Sequence, residues 1–289
     1  MEPRRAQRGF PVGPNSSSML FCQLAQADSL REICNGLSCC LGKLVHLGIN
    51  KAPNKSTLSY ANEHRPAAMY KELFWFLLQE FRKQQQFGGK QYKFRFKNKL
   101  LSMDSTTISL CITLFPWAKF RRAKGGVKVH VMLDHDDHMP AFVLITKAKK
   151  SDVKVIPMLK LNPGSIIVVD RGYNDYAQFS AWTRENVYFV IRQKENAVFE
   201  VIDRRELPKG RNILADEIIR LTGVKAQDSC PENLRRIVVW DDEEKREIVL
   251  LTNHFDFGAT TIAAIYRDHW KIEVCQSNYY DYYNFSLAA

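Results

Sequence analysis

Carboxylates are nearly absent from one long stretch of this 289-residue chain. Between Phe81 and Leu133 the only acidic residue is Asp104, against twelve bases that include Arg82, Lys93, Arg95, Lys97, Lys99, Arg121, Arg122, Lys124 and Lys128. A field of one sign argues against a cationic partner there and suits a phosphate backbone. Long apolar runs are missing too, since none nears the ~18 residues of a membrane span. The basic start is followed by Phe10-Pro-Val-Gly-Pro-Asn15, which interrupts the apolar core that a signal peptide needs. There are seven cysteines but no repeated Cys-x-x-Cys, and vicinal Cys39-Cys40 has poor disulfide geometry. That pattern excludes a zinc constellation and reads as reduced thiols in a cytoplasmic protein. What is present is ordinary globular material, 45% hydrophobic and 25% charged, with a formal net charge of +11. It is enough for one or two domains, and the charge points to nucleic acid before membrane.

Taken in order, residues 1–18 are rich in Arg, Pro, Gly and Ser and read as a disordered leader. Residues 19–87 read as a helical module. Leu20, Leu24, Leu30, Ile33 and Leu37 recur at roughly helical spacing. A second helix starts near Ser56, where hydroxyls can cap it. A third covers Ala67 to Lys83 with Tyr70, Leu73, Phe74, Leu77 and Phe81 on one side. Pro66 disfavours helix at Arg65 and separates the two.

Residues 88–198 read as the first part of an α/β core. Tyr92, Phe94 and Phe96 alternate with Lys93, Arg95 and Lys97, which predicts a strand with one basic face. Strands over 99–115 and 127–133 flank the basic turn Arg121-Arg-Ala-Lys-Gly-Gly126. The run His130-Val-Met-Leu-Asp-His-Asp-Asp-His138 allows a metal cluster or a polar hairpin tip before a strand at 141–146. Successive residues in a strand or turn do not all face one way, which favours the hairpin. Ser151 to Leu161 reads as a short helix, Tyr173 to Asn186 as a longer one and Val187 to Arg192 as a strand. Residues 199–257 read as a β-rich insertion with strands Phe199–Ile202, Arg236–Trp240 and Glu247–Thr252. In 258–289 a helix over Thr260–Glu273 places Tyr266, His269 and Glu273 on one face.

The chain is organised around Ser165-Ile-Ile-Val-Val-Asp-Arg-Gly-Tyr173. Its apolar run is too short for a helix and reads as a strand buried on both faces. Asp170 stands at the C-terminal tip, where open α/β sheets place ligands, although an Asp there can also cap the next helix. Asp104 on a strand and Glu273 on a late helix complete three carboxylates in distinctive contexts. Hard cations such as Mg2+ or Mn2+ take such oxygen ligands, and a pair of them can support phosphodiester displacement.

Four blocks carry a resemblance: Met103-Asp-Ser-Thr-Thr-Ile108, Gly126-Val-Lys-Val-His130, Val169-Asp-Arg-Gly-Tyr173 and Tyr266-Arg-Asp-His-Trp-Lys-Ile-Glu273. Together they resemble the DDE transposases of bacterial insertion sequences, with the insertion-sequence-four family and its Tn-five relative the nearest group. Residues from Leu20 to about Gln86 resemble a helical module found in a branch of that family. The resemblance implies a ribonuclease-H-like mixed sheet flanked by helices, with a β-rich insertion and an N-terminal helical module. It implies metal-dependent DNA cleavage and strand transfer, with Asp104, Asp170 and Glu273 as catalytic metal ligands for Mg2+ or Mn2+. The implied partner is double-stranded DNA, at terminal inverted repeats and target sites, bound by a homodimer. Arg121, Arg122, Lys124, Arg171, Tyr266 and His269 are the candidate DNA contacts.

Two departures stand out. His269 occupies the place of the family's signature Arg and Tyr280 that of its Lys, which removes a bidentate fork for phosphate. The first eighteen residues and everything after Glu273 depart from the family pattern, so the chain reads as a fragment truncated at both ends. Three readings stay open: a DDE transposase, a non-catalytic DNA-binding remnant, and a ribonuclease-H-like nuclease.

Overall fold

The computed structural model of the chain describes residues 11–84, 94–110, 118–121 and 124–269, with the backbone alone at 120, 121 and 124. The chain divides into two units, a helical one that includes residues up to Gln84 and a sheet unit over Gln85–Gln276.

In the helical unit, α1 is Val12–Leu24, α2 Leu30–Cys39, α3 Lys55–His64 and α4 Ala67–Lys83. The expectation of disorder through residue 18 fails from Val12 onward. Pro14 falls in the first turn of α1, where a missing N–H leaves no helical bond unmade. Fully buried Asn15 is also bonded to the Asn62 side chain at 3.1 Å and to the Tyr70 hydroxyl at 2.7 Å. Tertiary bonds override composition there. Helix α2 starts on a Ser-x-x-Glu cap, with the Ser29 hydroxyl accepting from the Glu32 amide at 3.2 Å. A small core of Cys22, Ile33, Leu37, Ile49 and Leu58 closes the unit. The expected apolar side of α4 is not buried: Phe74, Leu77 and Phe81 remain more than one-third exposed, and Leu78 is the buried residue.

The sheet unit has ten strands among the described residues. They are β1 Leu100–Leu110, β2 Lys119–Arg121, β3 Lys124–Asp134, β4 Met139–Lys147, β5 Ile166–Val169, β6 Tyr188–Arg192, β7 Phe199–Arg204, β8 Ile213–Leu221, β9 Leu234–Asp241 and β10 Arg246–Thr252. Helices α5 (Tyr176–Arg184) and α6 (Val224–Ser229) follow β5 and β8. A last helix, α7, is described over residues 259–269. The strand order is β2-β3-β1-β5-β6-β10-β9-β8-β7, with β4 also paired to β3. Strands β4, β3 and β1 run antiparallel, whereas β1, β5 and β6 are parallel. This mixed α/β sheet is the ribonuclease-H-like arrangement. The stretch 199–257 extends the same sheet, because β10 pairs antiparallel with β6.

Strand β5 is four residues long and fully buried on both faces, as its apolar run predicts. One face packs Met103, Val169 and Ile191 against α5 residues Phe179 and Trp182. The opposite face packs Leu100, Val168, Val190 and Leu250 against Ile262, Ile265 and Tyr266 of α7.

Three local expectations are corrected. Residues 94–98 form no strand, although Phe94 and Phe96 stack at 5.0 Å on the second core while Arg95 and Lys97 stay exposed. Ser151–Leu161 is two 3-10 turns, Asp152–Lys154 and Ile156–Met158, because Pro157 cannot continue a hydrogen-bonded helix. Tyr173 belongs to a 3-10 turn, Arg171–Tyr173, and α5 begins only after Asp175, whose carboxylate caps the Ala177 amide. The His130–His138 run is a hairpin turning between β3 and β4.

Candidate active site

The parallel ladder fixes where two of the three carboxylates stand. Its last rung pairs Met103 of β1 with Val169 of β5, and Val169 in turn with Ile191 of β6. The next residues on these strands are Asp104, Asp170 and Arg192. Facing residues of parallel strands share a face, and neighbouring strands lie ~4.8 Å apart. Alternation from Ser102 and Val168 therefore places Asp104 and Asp170 on the α7 side. Both are only partly buried, so both can meet solvent and a ligand. Asp170 precedes the turn Arg171–Tyr173 but makes no side-chain capping bond. The capping reading of Asp170 is thereby set aside.

Behind the carboxylates, on the α5 side, lies a closed polar network. Asp152 accepts from Lys128 at 2.8 Å and from the Ser105 hydroxyl at 3.1 Å. The buried Tyr173 hydroxyl lies 3.2 Å from His130 Nδ1, and His130 Nε2 lies 3.0 Å from Thr146 Oγ1. Burial, reinforced by the nearby Asp152, Asp104 and Asp170 charges, pushes the Tyr173 hydroxyl far above the usual phenol range. Tyr173 is therefore a neutral hydrogen-bonding group. Burial likewise holds His130 below the usual imidazole value.

The α7 side differs. His135 Nε2 lies 2.7 Å from Ser102 Oγ, and His135 Nδ1 lies 3.2 Å from the Asp268 carboxylate of α7. Beside it His269 is 1% exposed, and neither ring nitrogen has a hydrogen-bond partner. Burial pushes its pKa down to about 4, with Asp170 opposing and His135 assisting. A neutral imidazole with unmet hydrogen-bonding capacity thus sits within electrostatic reach of Asp170.

The other candidate residues are placed unevenly. Glu273 and Arg122 lie outside the described residues. Arg121 ends β2 and Lys124 begins β3, on the basic hairpin. Arg171 is half exposed and pairs with Glu195 at 2.6 Å. Tyr266 is 4% exposed and packs in the second core, so neither it nor His269 presents a surface to DNA in this conformation. Arg192 was missed by sequence reasoning. Its signal was available, because Tyr188-Phe-Val-Ile-Arg192 repeats the pattern of an apolar strand ending in a charge. Arg171, Arg192, Lys194 and Arg236, with Glu195 and Glu247, line a cavity of about 200 Å3. No group of three or more His, Cys, Asp or Glu side chains is arranged to hold a metal among the described residues. The five described cysteines are free thiols.

A family model of the transposase DDE domain matches residues 95–278. The chain belongs to the DDE transposase family. A second model, a domain of unknown function (DUF4372), matches residues 12–50. Among curated relatives, y4zB of Sinorhizobium fredii, a transposase by name, is 30% identical over 77% of this chain and 61% of its own length. A Geobacillus stearothermophilus protein, named as a transposase for insertion sequence element IS5377, is 30% identical over 62% of this chain and 47% of its own. The chain thus spans about half to three-fifths of the length of these relatives. Among solved structures, Ciona intestinalis endonuclease V is 12% identical over 70% of this chain and 88% of its own, with a TM-score of 0.27, too low to carry an argument. No described helix of this DDE transposase domain is long and apolar enough to cross a membrane.

Proposed function

We propose that the chain carries the catalytic core of a DDE transposase of the insertion-sequence-four group, cutting and joining DNA at terminal inverted repeats. The observation that supports this reading is the last rung of the parallel ladder, Met103 with Val169, after which Asp104 and Asp170 come next on neighbouring strands. Two carboxylates that close offer the oxygen-only donor set that Mg2+ or Mn2+ prefers. Glu273 is the third ligand in this reading; it follows His269 by four positions, the interval at which residues share a helix face. Asp104, Asp170 and Glu273 would hold a pair of such ions, which would supply Lewis-acid activation of the attacking and leaving oxygens.

The chain's own residues supply the rest. Tyr173, held by His130 and Ser105, fixes the turn that follows Asp170. Arg171 and Arg192 sit at the same strand ends as the carboxylates and take flanking phosphates. Exposed Arg95, Lys97, Lys99 and Lys119, with the hairpin bases Arg121, Arg122 and Lys124, track the duplex backbone. Buried His269, and with it Tyr266, meets DNA only if α7 shifts. A homodimer on paired ends, acting in the bacterial cytoplasm, completes the reading.

The test is cleavage of a duplex bearing the cognate terminal repeat in Mg2+. Cleavage that is lost in Asp170→Ala, with the thermal transition kept, supports it. Equal cleavage by Asp170→Ala overturns it. Salt-dependent DNA binding with no metal-dependent cleavage marks the chain as a binding protein instead.

A further inference from the structure

We propose that His135 is a positioning residue that fastens α7 to the sheet face carrying Asp104 and Asp170. The inference rests on reading that pair as the metal-binding carboxylates. Ser102 lies two residues before Asp104 on β1, on the same face, and is fully buried. Its hydroxyl meets His135 Nε2 at 2.7 Å, and the other ring nitrogen meets Asp268 of α7 at 3.2 Å. With the Asp268 carboxylate as acceptor, Nδ1 is the donor and Nε2 takes the serine hydroxyl. The His135 amide also donates to the Leu100 carbonyl at 3.0 Å, and neighbouring Asp134 is paired with Lys99 at 2.7 Å. Backbone and ring are therefore both held.

The arrangement joins β1, the β3–β4 turn and α7 at one point. Its order of Ser, His and Asp is that of a nucleophilic triad, yet Ser102 is 0% exposed and no substrate reaches it. A structural role remains. The apolar contacts of α7, Ala259, Ile262, Ala263, Ile265 and Tyr266, select which face of the helix is buried, and polar contacts sharpen its register. Two directional hydrogen bonds do so here. Register matters most at this place, because His269 follows Asp268 directly and Glu273 lies five positions on. The His-Asp run that suggested a metal cluster thus acquires a different task, which is orienting the helix.

The experiment uses the full chain and compares His135→Phe, which keeps bulk and loses both bonds, with wild type. Amide exchange in peptides covering 259–269 should accelerate about tenfold, the factor expected for one net hydrogen bond lost locally. Exchange in α5 and in the helical unit should hold. In the cleavage assay kcat should fall while KM for DNA stays, because the helix is misplaced and the DNA surface is intact. Asp268→Asn should reproduce both effects in part, and the two substitutions together should cost less than the sum of their separate effects. If His135→Phe does not fold, Ser102→Ala and Asp268→Asn carry the same readouts. Unchanged exchange over 259–269, or equal acceleration throughout the sheet unit, overturns the proposal. A wild-type chain without metal-dependent cleavage overturns the proposed function, and the exchange result still decides the role of His135.

Discussion

The two faces of the sheet meet at the same carboxylates and solve opposite problems. On the α5 face a run of polar groups is paired end to end, Lys128 with Asp152, Asp152 with Ser105, Tyr173 with His130, His130 with Thr146, although Glu232 Oε2 beside α5 lacks a partner among the described residues. On the α7 face His135 is paired, but His269 is buried with both ring nitrogens unmatched. Buried polar groups are normally satisfied, so the His269 exception fits the proposed site beside Asp170. The unpaired face is the one a substrate or a shift of α7 would engage.

The largest effect is expected at the shared edge itself. Asp104→Asn should lower metal-dependent cleavage by ~100-fold or more, since a lost ligand to a catalytic cation is worth several kcal/mol in the transition state. Single-turnover cleavage measures it, and a loss below tenfold would detach Asp104 from the site. Next comes the core beneath the paired face. Phe189 stacks on Phe179 at 4.5 Å and is fully buried, so Phe189→Ala should destabilise by about 3–5 kcal/mol in a denaturant titration.

Tyr173→Phe should cost about 1–3 kcal/mol, because it leaves His130 with an unmatched ring nitrogen in a buried site. A neutral result would show that the paired face is less closed than its distances indicate. The smallest effect separates the faces most sharply. His269→Leu removes two unmatched polar atoms, so stability at neutral pH should be unchanged or higher by up to about 1 kcal/mol. The same substitution should flatten an acid limb. With a folded pKa of about 4 against an ordinary 6.5, the unfolded chain binds more protons in that interval. Wild-type stability therefore falls as pH drops from 6.5 towards 4, at most about 1.4 kcal/mol per unit from this group. The His269→Leu chain should lose that component, and parallel acid limbs would show that His269 is matched after all.

Much of this was legible in the residues because it is local. An apolar run of four ending in Asp170 has few alternatives to a buried strand tip, and Pro66 separates two helices as expected. The site was less legible for a physical reason. Phe94 and Phe96 alternate with bases as a strand would, yet the pattern records only which side is buried, and an irregular segment can satisfy it. Val12 to Ser18 looked disordered by composition, and bonds to Asn62, Tyr70 and Leu47, far along the chain, help hold it as a helix.

By itself the sequence determined the buried central strand, the carboxylates worth watching, the basic field around Asp104 and the family that these together resemble. It did so because burial pattern, charge and turn chemistry are properties of neighbours in the chain. The tertiary structure alone decided that Asp104, Asp170 and Arg192 each follow the last rung of one ladder, Met103 with Val169 and Val169 with Ile191. It also placed the His-Asp run in the β3–β4 hairpin turn, where His135 meets Asp268 of α7. Those facts depend on the register between strands and on a helix laid across them, and register is set by packing between segments that the chain order keeps apart.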